Sequence, residues 1–150
     1  MRIKSWAPNT NSCTPALQEI RWRAYGLLKK DKYSIYYSCN PNTTGQAGTG
    51  FVIQKLAMNK ILGCEPIYDR ICKLRIKEKF YNVTLINIYD KEEDIKEQYY
   101  EELQRTKDRV SKHDATIILG DKNAKLGKEK VFSQIGCHTL HNISNENGEW

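Results

Sequence analysis

Hydrophobic positions alternate along YNVTLINIY, residues 81–89, with Val83, Leu85 and Asn87 on one side and Thr84, Ile86 and Ile88 on the other. Apolar side chains on both sides predict a strand inside a sheet that is covered on each face. ICKLRIK, residues 71–77, alternates less cleanly: Ile71, Leu74 and Ile76 are apolar and the pattern slips between Cys72 and Leu74. It predicts an edge or half-exposed strand, joined to the first by a hairpin turn at Lys77-Glu78-Lys79. Over residues 92–112 the period lengthens, because Ile95, Tyr99, Leu103 and Val110 recur at spacings of four, four and seven. That places them on one face of a helix, whose acidic start and basic later turns suit its dipole. Residues 115–119, ATIIL, follow as a strand fit for a dry core. Strand, helix, strand predicts a crossover, with the two strands parallel or in one sheet under the helix.

Upstream the elements are shorter. Residues 2–6 read as a strand stopped by Pro8, and residues 16–20 as a brief apolar segment that includes Glu19. Residues 33–39 are β-branched and aromatic, residues 40–50 form a Gly- and Asn-rich loop, and Phe51-Val52-Ile53 resumes extended structure. Residues 128–150 are poor in apolar positions. The whole is an α/β pattern, and 150 residues make one domain.

Composition sharpens this only a little. Hydrophobic residues at 39% and charged residues at 28%, with both signs interspersed, predict a folded chain. The formal charge of +6 and pI near 9.0 favour polyanionic partners, although small basic domains without such partners are also common. No apolar run approaches the roughly 20 residues needed to span a bilayer and no secretion signal opens the chain, so the expectation is an intracellular protein, nuclear or cytoplasmic, with no membrane partner. Five scattered cysteines without a CxxC pair argue against a disulfide framework and against a zinc site.

Candidate chemistry collects where strands end. Glu19, Tyr89, Asp121 and Asn123 each follow an apolar, strand-like segment, the place where α/β proteins gather polar groups into a crevice. Glu19 can hold Mg²⁺ through a carboxylate oxygen. Asp121 can orient or deprotonate a water, Asn123 can donate N–H to a crowded phosphate, and Tyr89 can give an O–H to the same oxygens. Taken singly, each has a plainer explanation: a solvated carboxylate, an Asx turn at Asp121 and Asn123, a core tyrosine. Their order along the chain is what sets the two explanations on comparable footing.

That order is carried by ALQEIRW (16–22), GTGFVI (48–53), PIYDRICKLRIK (66–77), YNVTLINIY (81–89), YYEELQR (99–105) and IILGDKNAKLGKE (117–129). Together they resemble the endonuclease/exonuclease/phosphatase superfamily, nearest the endonuclease domain of non-LTR retrotransposons and craniofacial development protein 2-like proteins. The resemblance runs from about residue 16 to residue 149, and LQE followed by GDxN is specific. It implies a partial four-layer α/β sandwich of mixed sheets flanked by helices, and cleavage of DNA or other nucleic acid with Mg²⁺ or Mn²⁺. It also implies Glu19 as the metal-binding residue and Tyr89, Asp121 and Asn123 as catalytic residues.

The pattern also departs from the family. RIKSW is followed by Ala7-Pro8, so the asparagine that follows the tryptophan in relatives is missing, the segment before LQE is compressed, Asp90-Lys91 replaces Ala-Pro, and Lys122 replaces the usual Phe of GDxN. The Lys122 change forfeits about 1.5–3 kcal/mol of apolar burial. His138 and His141 fall in a loop-like stretch and are read as non-catalytic, and the sequence stops at Trp150 before a Ser-Asp-His motif. The expectation is a single domain, degenerate at its N-terminus and truncated at its C-terminus, with weak or absent activity. The alternative is a non-catalytic nucleic-acid-binding module or a vestigial transposon-derived fragment.

Overall fold

The computed structural model describes residues 2–6, 14–39, 42, 47–90 and 96–121, with residues 2–6 and 96 described by their backbone. The chain divides into two compact units, Met1–Tyr89 with Ile95–Gly120 and Asp90–Asp94 with Asp121–Trp150. Of the second unit, Asp90 and Asp121 are described.

The first unit is mixed α/β and mostly strand. One sheet contains β1 (Arg2–Trp6), β2 (Thr14–Gln18), β3 (Tyr25–Lys29), β4 (Tyr33–Ser38) and β5 (Thr49–Gln54), in the order β1-β2-β5-β4-β3 with antiparallel neighbours. A short 3₁₀ helix, Lys55–Lys60, leads to the second sheet, formed by β6 (Ile61–Tyr68), β7 (Ile71–Ile76), β8 (Val83–Tyr89) and β9 (Ala115–Asp121) in that order. β6, β7 and β8 pair antiparallel. At the start of the last pair the Ala115 N–H donates to the Asn82 carbonyl (2.9 Å), and near its end Gly120 lies against Ile88. β9 therefore runs parallel to β8, as the intervening helix α1 (Lys96–Asp108) requires.

Alternation along the strands sorts side chains into three apolar layers. Ala16, Phe51 and Ile53 of the first sheet meet Leu74, Val83 and Leu85 of the second. Ile71, Ile86 and Ile88 face outward and are covered by Tyr99 and Leu103 of α1, with Val110 packed beside them. Leu17 and Ile20 cluster with Cys39 on the other face of the first sheet. All seven residues of β8 are buried, as its two apolar faces predict.

Several expectations are corrected. β7 is an interior strand, not an edge strand. Its irregular pattern has a local cause: its outward Lys73 and Arg75 are matched by Glu65 (2.9 Å) and Asp114 (2.6 Å). β9 is the edge, half-exposed strand instead of a dry one, with Ile118 45% exposed. Thr49 and Gly50 belong to β5 and not to the preceding loop, and α1 ends at Asp108, short of residue 112. Ile95 lies outside the described residues.

Two strands carry little sequence signal. β3 is nearly all exposed, and β6 contains Gly63 and Pro66, which a central strand disfavours and a bulged edge strand accommodates. Cys39, Cys64 and Cys72 are free thiols, and Cys64 and Cys72 approach to 3.8 Å between sulfur atoms. No helix among the described residues is long and apolar enough to cross a membrane.

Candidate active site

The inner layer changes character along the strands. Past the Ala16–Phe51 pair the next inward row of the first sheet is Gln18, Thr49 and Ser38, mutual neighbours across β2, β5 and β4, and all three are buried. Facing them from β8 is Asn87, fully buried and inward for the same reason as Val83 and Leu85. Its Nδ2 donates to the carbonyls of Leu17 and Gly50 (2.8 Å each), and its Oδ1 accepts from Gln18 Nε2 (2.8 Å). One carboxamide thus bolts β8 to both β2 and β5. Gly50 sits so close that a Cβ there would collide with the Tyr36 carbonyl. Gln18 Oε1 and Thr49 Oγ1 find no hydrogen-bond partner among the described residues.

Glu19 comes immediately after β2. Continued extension would carry it to the outer face with Leu17. Its φ of 54° is left-handed and breaks the alternation, a conformation that costs an L-residue about 1–2 kcal/mol. Arg21 repeats it at 58°. The segment is held by the N–H groups of Ile20 and Arg21, which donate to Gly48 (3.2 Å) and Ala47 (3.0 Å). So placed, Glu19 Oε1 accepts the hydroxyl of Tyr89 (3.1 Å) and Oε2 lies 3.6 Å from Arg21 Nη2. The Glu19 side chain is 20% exposed and Tyr89 is buried, with its N–H donating to the Arg70 carbonyl (3.0 Å).

The structure brings Glu19 and Tyr89 together from opposite sheets. Asp121 is half-buried, ends β9 and belongs to the second unit, where its carbonyl accepts the Asp90 N–H (2.9 Å). Gly120, just before it, has φ 144°, and a Cβ there would strike the Ile88 carbonyl, so the strand can finish beside β8 only with glycine at this position. Asn123, His138 and His141 lie outside the described residues.

Among the described residues no group of three or more His, Cys, Asp or Glu side chains could hold a metal ion. The donor chemistry of Glu19 nevertheless fits a hard dication of the Mg²⁺ type, which is held by one or two carboxylates and keeps several waters. The residues that sequence reasoning overlooked are Gln18, Thr49 and Arg21. Gln18 was detectable, because it stands two positions after inward Ala16 and must share its face.

No protein-family model matches the chain. Craniofacial development protein 2 of Tragulus javanicus is 32% identical over 136 residues, covering 88% of this chain. The protein of the same name from Bos taurus matches equally, at 32% over 136 residues. The chain spans 23% of the length of these relatives. Along that span, and in agreement with the motifs it carries, the chain is a relative of craniofacial development protein 2.

Proposed function

We propose that this chain is a phosphodiester-cleaving domain of the endonuclease/exonuclease/phosphatase type, acting on DNA with Mg²⁺ or Mn²⁺ in the manner of retrotransposon endonucleases. The observation that supports the reading most directly is the Tyr89 hydroxyl bound to the Glu19 carboxylate (3.1 Å) behind a buried inter-sheet latch. A backbone held left-handed at Glu19 points the same way, since such strain collects at functional sites. The helix-covered outer face of the second sheet is what a four-layer sandwich flanked by helices would contain on that side.

In this reading Glu19 would hold the divalent ion, which when bound supplies positive charge against phosphate oxygens. Tyr89 orients the carboxylate by donating its O–H, and can donate instead to phosphate once the carboxylate is engaged. Asp121 orients and deprotonates the attacking water, and Asn123 donates N–H to the charge that develops. The net charge of +6 suits a polyanionic substrate.

Supercoiled plasmid incubated with the protein and Mg²⁺ tests this. Weak nicking by the wild type that falls to background in both Glu19→Gln and Asp121→Ala is the expected result. Nicking that survives both substitutions, or no wild-type nicking with either ion, sinks the catalytic reading. The basic charge favours the second reading, a non-catalytic nucleic-acid-binding module, which would appear as steeply salt-dependent duplex binding without cleavage.

A further inference from the structure

Strand ends of the two sheets form a crevice of about 230 Å³. Tyr25, Ser38 and Cys39 line it from the first sheet, and residues 66–69, at the end of β6, from the second. Ser38 Oγ donates to the Tyr68 carbonyl (2.7 Å) and ties the two walls together. Tyr25 and Tyr68 line the space yet remain 67% and 38% exposed, so their rings offer faces that the fold leaves uncovered. Asp69 adds a carboxylate, and Pro66 and Ile67 add apolar wall. Burial pushes the Cys39 thiol up from its ordinary range, so it sits there neutral.

Both walls are linked through the backbone to the segments that carry Glu19 and Tyr89. Asp69 precedes Arg70, whose carbonyl accepts the Tyr89 N–H (3.0 Å). Cys39 Sγ packs against Gly48, whose carbonyl accepts the N–H of Ile20, the residue after Glu19 (3.2 Å). Arg21 and Arg23 are exposed on the segment that follows. The space is smaller than the roughly 300–1,000 Å³ of drug-sized sites and suits one planar ring system. Aromatic faces bind any base by stacking, a carboxylate accepts the N–H donors of a base edge, and arginines nearby serve the flanking phosphates.

We propose that this crevice is a subsite for one unstacked nucleobase of a DNA strand, next to the phosphate handled at Glu19 and Tyr89. The proposal rests on the phosphodiester reading for its orientation, and it requires a base that is single-stranded or flipped out of a duplex.

Fluorescence anisotropy with two eight-nucleotide strands at one fixed salt concentration tests it. One strand is oligothymidylate and the other has tetrahydrofuran in place of every base. The wild type binds the base-bearing strand about tenfold more tightly. Tyr25→Ala, at an exposed position where truncation leaves the core intact, removes most of that difference and leaves affinity for the baseless strand unchanged, whereas Tyr25→Phe retains it. Equal wild-type affinity for the two strands overturns the proposal, as does a Tyr25→Ala variant that weakens both alike. Competition by millimolar tetramethylammonium also overturns it, since that result would assign the tyrosines and Asp69 to an alkylammonium ligand. Glu19→Gln keeps the base preference while losing nicking. Nicking without base preference therefore sinks the subsite alone, and base preference without nicking upholds the subsite and sinks the cleavage reading.

Discussion

Glu19 accepts a hydrogen bond from a neutral hydroxyl while facing a guanidinium 3.6 Å away. Arg21 is 63% exposed, so it is a weak competitor for the carboxylate. On the proposed metal role, Arg21→Ala tightens Mn²⁺ binding about threefold in dilute buffer, measured by calorimetry, and the gain disappears in strong salt. Asn87 acts differently. Asn87→Ala strands three buried partners at once, so urea denaturation should show a loss of about 2–4 kcal/mol; a change below about 1 kcal/mol would mean that the latch is slack. The inward placing of Asn87 was legible from the alternation of residues 83–89. Its partners were not, because a period of two tells which face a side chain takes and nothing about which strand of another sheet lies opposite.

At the scale of elements, the second sheet is cross-linked on its outer face by a buried carboxylate. Asp114 accepts from Arg75 Nε (2.6 Å) and Nη2 (2.8 Å) and from Thr84 Oγ1 (2.8 Å), joining β7 and β8 to the residue just before β9. The Arg75 hydrogen bonds, with help from Thr84, hold the Asp114 carboxyl below the ordinary carboxylate range. A carboxyl lowered in the folded state stabilises fully above its unfolded value of about 3.9, and the contribution is lost as pH falls through the folded value. Asp114→Asn should therefore lower Tm at neutral pH by about 5–10 °C and flatten the fall in Tm below about pH 4.

Gly120→Ala should be more severe than its single added methyl suggests, since both the dihedral and the Ile88 carbonyl oppose it; protease sensitivity at the end of β9 would register it. The helix and β8 were readable because each keeps one period over two or more turns or pairs. β6 was not, since Gly63 and Pro66 imitate a loop, and β7 was misjudged because ion pairs stand where apolar contacts were expected.

For the molecule as a whole, the proposed nucleic-acid role together with a charge of +6 predicts that duplex affinity falls steeply between about 50 and 200 mM salt, a filter-binding measurement that a flat profile would contradict. Charge and fold class were legible from composition and periodicity. How the two sheets meet was not, because it depends on contacts between residues about 70 positions apart, such as Gln18 with Asn87. The apolar end of the inner layer and its polar end also differ in how they resist opening. Leu85 and Leu74 lie in continuous hydrocarbon, whereas Gln18 Oε1 and Thr49 Oγ1 are buried polar atoms with no hydrogen-bond partner among the described residues. Polar side chains tolerate water that the apolar end excludes, so breathing of the sandwich should start from the Tyr89 end, with amide exchange quickening from residue 85 toward residue 89.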